Sequence, residues 1–408
     1  MSRWILALVF IGICAEQPGL AQQFKVWDHT VQIHGFLFQG SVKTDTNNWL
    51  TMETRGGSSA MTEMGQNASS QLTDKLRVGA QVYDRNLGQL GQFHPSLDWG
   101  LVDYRFTQWF GVRVGKVKTP LGLFNDSQDV DFLRAFALLP QGVYPTDLRD
   151  MTIAHKGIDI YGTIPLRHRM GEISYTGYAG FRSDSLYSGY PYLMREYWIN
   201  LQSLKGRQYG ADLRWNLPIP GLMVGASRMN QCITGRGSFV NLLDPTAGPG
   251  PFRSTIKPYW TNQFYGEYIV RRLRLDAEYR RDFFSSPYFP GVYEQTYAHS
   301  WYLAGSYRIV KHFEVGTYYS HFVVKNTGSP ELAAMIGPMD PSLPQNHIYD
   351  KVIAGHLDVN RYLYFKVEGH FMDGYGWATF PNGFYPQQNL DGFASNTNAA
   401  VIKTGFHF

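Results

Sequence analysis

The side chains able to do chemistry are numerous but are not grouped for catalysis. Twelve histidines are scattered as His29, His34, His94, His155, His168, His299, His312, His321, His347, His356, His370 and His407. No two have the i, i+4 spacing with which a helix presents a metal, so no metal or other cofactor is expected. Covalent or acid–base catalysis needs a nucleophile or acid held beside a histidine, and no local motif supplies one. No Gly-rich phosphate loop is present. The two cysteines, Cys14 and Cys232, are too few for a disulfide framework. What remains is charge placed on every second residue: Arg77, Gln81 and Arg85; Asp103 and Arg105; Asp212 and Arg214; Arg274, Asp276, Glu278, Arg280 and Asp282. Rows of charge along a low-dielectric wall sort ions by focusing the field across an aqueous path.

The elements that must carry these rows follow from the same alternation. Between the charges stand Val78, Ala80 and Val82; Val102, Tyr104 and Phe106; Ala211, Leu213 and Trp215; Leu273, Leu275, Ala277 and Tyr279. Period two means strand. Sixteen such stretches run from about Asp28 to the end, separated alternately by eight long breaks and seven short turns. That count requires antiparallel strands in up-and-down order with all long loops at one end. The stretches match the roughly 9–11 residues that a tilted strand needs to cross a bilayer. A sheet edge has no partner in hydrocarbon, so the sheet must close. Sixteen strands enclose a lumen wide enough for water. The expected fold is therefore all-β: a transmembrane antiparallel up-and-down β-barrel of 16 strands.

Composition agrees. Only 17% of residues are charged, against roughly 25% in ordinary globular chains, yet 26 Phe, 27 Tyr, 10 Trp and 42 Gly are present. Aromatic girdles at the edges of a lipid-facing band account for Trp109, Phe110, Trp215, Trp260, Tyr268, Phe313 and Tyr362 beside breaks. Arg3, the apolar run Trp4 to Cys14 and the Gly19-Leu20-Ala21 site read as a signal peptide, residues 1–21, cut after Ala21. Residues 22–408 are then the barrel, and Cys232 has no intramolecular partner. Removing Arg3 and Glu16 leaves 36 basic and 32 acidic residues, still +4. No nucleic-acid partner is implied.

The chain ends Ala400-Val401-Ile402-Lys403-Thr404-Gly405-Phe406-His407-Phe408, an amphipathic strand closing on phenylalanine. It resembles the signal by which barrel-assembly machinery recognises bacterial outer-membrane proteins. Further stretches carry a second resemblance: Ser69 to Gln81, Leu97-Asp98-Trp99 with Asp103-Tyr104-Arg105, Gly115 to Gly122, and Leu138-Leu139-Pro140-Gln141 with Val143-Tyr144-Pro145. In these the chain resembles the Gram-negative outer-membrane porins, near the phosphate-selective-type branch. The resemblance implies passive transport across the outer membrane, embedding in outer-membrane lipid, and a homotrimer. It also implies that the long break 119–150, after the fifth strand, folds into the barrel and constricts it. The alternative is a helix lying over the barrel mouth.

Residues of that break fit a short helix starting at Asp126-Ser127, with Asp129 and Asp131 at its positive end, Phe132, Leu133 and Phe136 on an apolar side, and Pro140 as its stop. On this reading Asp126, Asp129 and Asp131 face Arg77, Arg85 and Arg105 across a transverse field, with Asp103 also lining the pore and Lys366 and Lys403 adding positive charge near the closing seam. The strand holding Val112, Val114, Lys116 and Lys118 mixes both kinds of residue on one parity, which a bulge at Gly115 would resolve. The expected function is a diffusion channel for small hydrophilic solutes and ions. The alternatives are a channel specific for phosphate, carboxylates or sugars, with Tyr178, Tyr302 and Tyr318 stacking on sugar rings, and, last, a barrel enzyme.

Overall fold

The computed structural model describes residues 22–26, 28–167, 170–240, 248–289, 292–331, 340, 342–376 and 382–408; the expected signal peptide lies outside them. In chain order the strands are β1 (Gln22–Val26), β2 (His29–Thr44), β3 (Ser58–Gln71), β4 (Leu76–Leu87), β5 (Ser96–Thr107), β6 (Phe110–Lys118), β7 (Ala154–Pro165), β8 (Glu172–Ser183), β9 (Ile199–Asn216), β10 (Leu222–Phe239), β11 (Gly250–Val270), β12 (Leu273–Phe289), β13 (Val292–Val310), β14 (Phe313–Gly328), β15 (His347–Asp358), β16 (Leu363–Asp373) and β17 (Asn396–His407). Each of β2 to β17 pairs antiparallel with its neighbours in sequence, and β17 pairs back onto β2, closing a ring of sixteen. The additional β1 forms a hairpin with β2 (Gln22↔Ile33 to Val26↔His29).

Alternation fixes which face is which. On β12, Asp276, Glu278, Arg280 and Asp282 are buried, whereas Leu275 and Tyr279 are exposed. On β16, Lys366, Glu368 and His370 are buried and Phe365, Val367 and Phe371 exposed. Burial of charge on one face and exposure of apolar groups on the other is the inverse of a water-soluble sheet, and it is the pattern of a barrel whose outside meets lipid.

The glycine content has a local cause. Gly225 lies directly opposite Tyr265, and Gly405 opposite Tyr364. A Cβ at either glycine would come within 2.3 Å or 2.1 Å of the tyrosine ring carbon, so each inward tyrosine folds flat over the bare backbone of its partner strand.

Several strands run further than the sequence suggests. β11 has 21 residues and β13 has 19, so the breaks expected at Cys232 to Lys257 and Ser285 to Gln295 are mostly ladder, and the one expected at Ser183 to Gly206 is shortened at its far end by β9, which starts at Ile199. Their composition is rich in turn residues, but Phe252, Ser254 and Ile256 still alternate with Arg253, Thr255 and Lys257, and continued pairing satisfies backbone groups above the bilayer. The loop between β8 and β9 carries a helix, α1 (Gly189–Glu196). No bulge occurs at Gly115, which pairs in register with Leu101. It instead takes φ +139°, and the strand ends at Lys118, where the chain leaves the ladder.

Candidate functional site: the lumen and the segment after β6

Residues 119–153, between β6 and β7, contact wall side chains of the inward parity around most of the ring. Gly122 N–H donates to Ser227 Oγ on β10 (2.8 Å), Leu123 N–H to Glu278 on β12 (3.0 Å) and Leu138 N–H to Glu368 on β16 (3.0 Å). Its carbonyls accept from wall cations: Val143 from Arg280 (2.6 Å), Phe136 from Lys366 (2.8 Å), Ala137 from Lys403 (2.9 Å) and Thr146 from Arg85 (2.8 Å). Phe136 packs on Tyr318 with ring centroids 5.1 Å apart.

The expected helix is not formed. The segment holds two three-residue 3-10 turns, Asn125–Ser127 and Asp131–Leu133, and a longer one at Thr146–Met151. The reason lies in its carbonyls. Those of Gln128 and Phe136 are taken by Arg134 (2.7 Å) and Lys366 (2.8 Å), and those of Ser127 and Asp131, which accept from the N–H three residues on (3.0 and 3.2 Å), are bonded by the same two side chains as well (2.9 and 2.8 Å), so single 3-10 turns form and no longer helix continues them.

The seven expected pore residues fall into two groups. Asp126, Asp129, Asp131 and Arg85 belong to the segment or touch it, but the acids do not face Arg77, Arg85 and Arg105. Asp129 pairs with Lys118 and accepts from Gln81 (2.6 Å). Asp131 lies 3.1 Å from both Lys366 and Lys403 and accepts from Tyr364 Oη (2.8 Å). Asp126 is 3.8 Å from Arg214, and Arg85 3.9 Å from Asp150. The other three sit beside the short turns. Arg77 reaches Ser69 Oγ (3.3 Å), Asp103 bonds Arg113 (3.4 Å) and Tyr161 Oη (2.5 Å), and Arg105 stands 6.0 Å from the Tyr161 ring. Parity places a charge on a wall but not its height, which is why the two groups look alike in sequence.

Electrostatics of the segment follow from these pairs. Burial alone would raise the Asp131 carboxyl, but Lys366, Lys403 and Arg134 outweigh it and hold it well below its ordinary 3.8. Asp129 is lowered in the same way, with Lys118 and Arg149 overcoming burial. Asp147 differs: burial raises it and outweighs the hydrogen bonds from Tyr385 Oη (2.7 Å) and Gly383 N–H (3.1 Å) in the last long loop and the more distant charge of Arg85.

Sequence reasoning did not single out three contacts. Arg149 bonds Asp98 through both terminal nitrogens (2.9 and 3.1 Å). Glu278 accepts from Tyr144 Oη (2.6 Å), Tyr302 Oη (2.5 Å) and Gln263 Nε2 (2.6 Å) as well as Leu123 N–H. Its place on the most regular alternating strand was the available signal. Thirdly, Thr119 Oγ1, His155 Nδ1 (3.1 Å), His155 Nε2 and Asp159 Oδ1 (2.8 Å) form a hydroxyl–imidazole–carboxylate chain. All three residues are fully buried, Gln208 also donates to Thr119, and Tyr178 stacks on the imidazole. The chain pins the start of the segment to β7 and presents no face to a substrate.

Tyr302 and Tyr318, like Tyr178, are packed and buried. Cavities remain beside the segment. One narrow cavity is bordered by Glu63, Asp131, Arg134, Arg149 and Lys403, and another by Tyr259, Arg280, Asp282 and Asn382. Among the described residues no cluster of His, Cys, Asp and Glu is arranged to hold a metal.

No protein-family model and no curated protein matches the sequence. Solved structures do match in fold. OmpT, an outer membrane protein of Vibrio cholerae, is 13% identical with TM-score 0.56, over 95% of this chain and 100% of that one. The anion-selective porin from Comamonas acidovorans is 11% identical with TM-score 0.55, over 93% and 100%. OmpF of Salmonella typhi is 10% identical with TM-score 0.52, over 95% and 100%. Closed ring, strand number and these likenesses together give the chain the sixteen-stranded barrel fold of the Gram-negative outer-membrane porins.

Proposed function

We propose that the barrel is a passive channel carrying small hydrophilic solutes and ions across the outer membrane, with residues 119–150 as the element that restricts its lumen. The observation that carries this reading is the segment's attachment to inward wall groups from β4 to β17. A ring of sixteen strands is wide, and a chain crossing it reduces the open section to narrow spaces beside the segment. Acid and base are interleaved on that wall, as in Arg274, Asp276, Glu278, Arg280 and Asp282. No single-sign ladder results, which favours weak ion selectivity and discrimination by size. Catalysis forms no part of this reading.

The alternative, a channel specific for phosphate or carboxylates, has one observation in its favour. The narrow cavity between β3, β17 and the segment sets three cations, Arg134, Arg149 and Lys403, against two carboxylates, Glu63 and Asp131. Liposome swelling across neutral sugars of increasing size and across small anions separates the two. Rates falling smoothly with size support diffusion, saturable entry of anions alone supports the specific channel, and no swelling at all refutes both.

We further propose assembly as a homotrimer, the form in which one structure of the Vibrio cholerae protein is described. Recognition by barrel-assembly machinery through Phe408 is supported by its place at the closing seam. Its N–H and carbonyl pair with Gly35 (3.0 and 3.1 Å), and its ring covers the bare Gly35 backbone.

A further inference from the structure

At the long-loop end, one side of the lumen is lined by apolar side chains. A wall that faces water should carry polar groups on its inward parity, and the short-turn end does: Arg77, Arg105 and Arg308 are exposed there, and Asp103 and Arg113 are half-buried. Towards the long loops the same parity carries Phe322 and Val324 on β14, Ile348 on β15, Met372 on β16, Val401 on β17 and Val42 on β2, all buried. Ile348 and Met372 lie one residue from the long-loop ends of their strands. Uncovered, these six would put a contiguous apolar patch into a water-filled passage.

Two loops cover them. Residues 45–57, between β2 and β3, and residues 382–391, before β17, fold inward as one unit. Leu50 N–H donates to the Gly383 carbonyl (2.7 Å) and Trp49 Nε1 to that of Asn382 (3.2 Å). Asn48 N–H donates to Asn389 Oδ1 (2.8 Å), and Asn389 Nδ2 returns a bond to the Asn48 carbonyl (3.1 Å). Trp49, Leu50, Met52 and Phe384 join the six wall residues in one apolar cluster, and the Trp49 ring stands 5.1 Å from that of His370 on β16. The unit is tied to the segment after β6 through Asp147, whose Oδ2 accepts from Gly383 N–H (3.1 Å) and Tyr385 Oη (2.7 Å). Thr51 Oγ1 ties it to the end of β4 by donating to the Leu87 carbonyl (2.8 Å).

These contacts are made against backbone strain. Leu50, Thr51 and Asn382 have φ of +56°, +57° and +41°, in the left-handed region that side chains with a Cβ disfavour, a β-branched threonine most of all. Gly383, at φ +90°, stands where a Cβ would come within 2.5 Å of the Trp49 indole nitrogen. Burial of the apolar cluster therefore favours the inward position, and the backbone at the contact points opposes it. Strain of this kind collects in elements that switch between two positions.

We propose that residues 45–57 and 382–391 form a lid, closed over the long-loop mouth in this structure, which swings outward to let solute pass. The six wall residues are its seat and Asp147 is its catch. The inference rests on the reading of the barrel as a channel, and it gives the outer mouth a closure separate from the restriction by residues 119–150.

The test uses the full-length exported protein with Cys232→Ser as background. Val324→Cys, buried under the lid, and Ser227→Cys, buried under Gly122 of the segment, are reacted with a charged methanethiosulfonate reagent, whose rate follows the population in which the thiol is uncovered. Gly383→Ala, which drives a Cβ against Trp49, and Trp49→Ala, which removes the ring, are each expected to raise the Val324→Cys rate by about tenfold or more. Both should leave the Ser227→Cys rate unchanged. Leu390→Ala, in the same loop but with an exposed side chain, should leave both rates as in the wild type. In planar bilayers the two lid variants are expected to lengthen the open times.

A Val324→Cys rate that neither variant raises, or one that rises equally with Ser227→Cys, overturns the lid. If neither variant assembles, Tyr385→Phe, which removes only the hydroxyl bonded to Asp147, must raise the Val324→Cys rate several-fold, and a wild-type rate overturns the proposal. Channel function is read separately. Faster labelling of Val324→Cys with no conductance in any variant supports the moving cover and refutes the channel reading.

Discussion

Asp131→Asn removes the one carboxylate shared by Lys366 and Lys403 and should loosen residues 119–150 from the wall. Both ammonium groups are almost wholly buried, at 1% and 3% exposure, and each lies 3.1 Å from an Asp131 oxygen. Removing one partner of a buried ion pair costs about 3–5 kcal/mol, because the remaining charge is left uncompensated. Here Lys366 keeps the carbonyls of Asp131 and Phe136, and Lys403 that of Ala137, so the lower end applies. About 3 kcal/mol corresponds to roughly a hundredfold rise in the population of the displaced segment.

In planar bilayers the variant is expected to show frequent steps to a larger conductance that the wild type rarely visits. The variant Asp131→Leu/Lys366→Met/Lys403→Met, which removes all three charges together, should recover most of the quiet trace. The pH dependence has a definite sign. Asp131 is held below its ordinary 3.8 in the folded protein, so its contribution is fully present above 3.8 and is lost as pH falls through the lowered value. Wild-type conductance should therefore be flat from pH 8 to pH 5 and rise only in stronger acid. An Asp131→Asn channel with wild-type conductance and noise would refute the claim that this carboxylate anchors the segment.

Lipid-facing substitutions should follow depth. Leu275 lies two residues from the end of β12, whereas Ile353 lies five from the end of β15 and is 60% exposed. Ile353→Arg should therefore cost about 2–4 kcal/mol in folding titrations and Leu275→Arg about 0–1 kcal/mol, and equal costs would reject the register. Arg77→Gln/Arg105→Gln, at the short-turn mouth, should move bilayer reversal potentials toward cations without adding conductance steps; unchanged selectivity would remove both from the ion path. Asp147→Asn should leave unfolding at neutral pH unchanged or slightly later, since burial raises the Asp147 carboxyl and its ionisation costs stability. A large loss would show that the charge itself holds Tyr385.

The strands were legible because bilayer and lumen impose opposite demands on alternate residues. Leu213 and Asp212, or Val367 and Lys366, could exchange places only by a one-residue slip that would turn every charge toward lipid. Short turns were legible for the same reason, since the alternation halts at Arg271-Arg272 and Lys311-His312. Loops carry no such constraint. Phe252 to Lys257 alternates as regularly as any strand, but it follows a stretch rich in glycine and proline that reads as a loop. The acids after β6 were recognised as important, and their partners were not. Asp131 meets Lys366 and Lys403 from strands more than 200 residues away, and which cation a loop acid finds is decided by the path of the chain across the lumen.

That path also explains why wall charges and segment cannot be considered apart. A segment with only short 3-10 turns and no ladder brings unpaired N–H and C=O groups into the barrel, each costly if left without a partner. Here the partners are the charged side chains themselves: Glu278 and Glu368 take N–H groups, and Arg85, Arg280, Lys366 and Lys403 take carbonyls. The residues that set the field along the wall are therefore the same ones that fix the segment in place. Neutralising any of them should alter ion selectivity and channel noise together, whereas neutralising Arg77 or Arg105, which make no such bond, should alter selectivity alone.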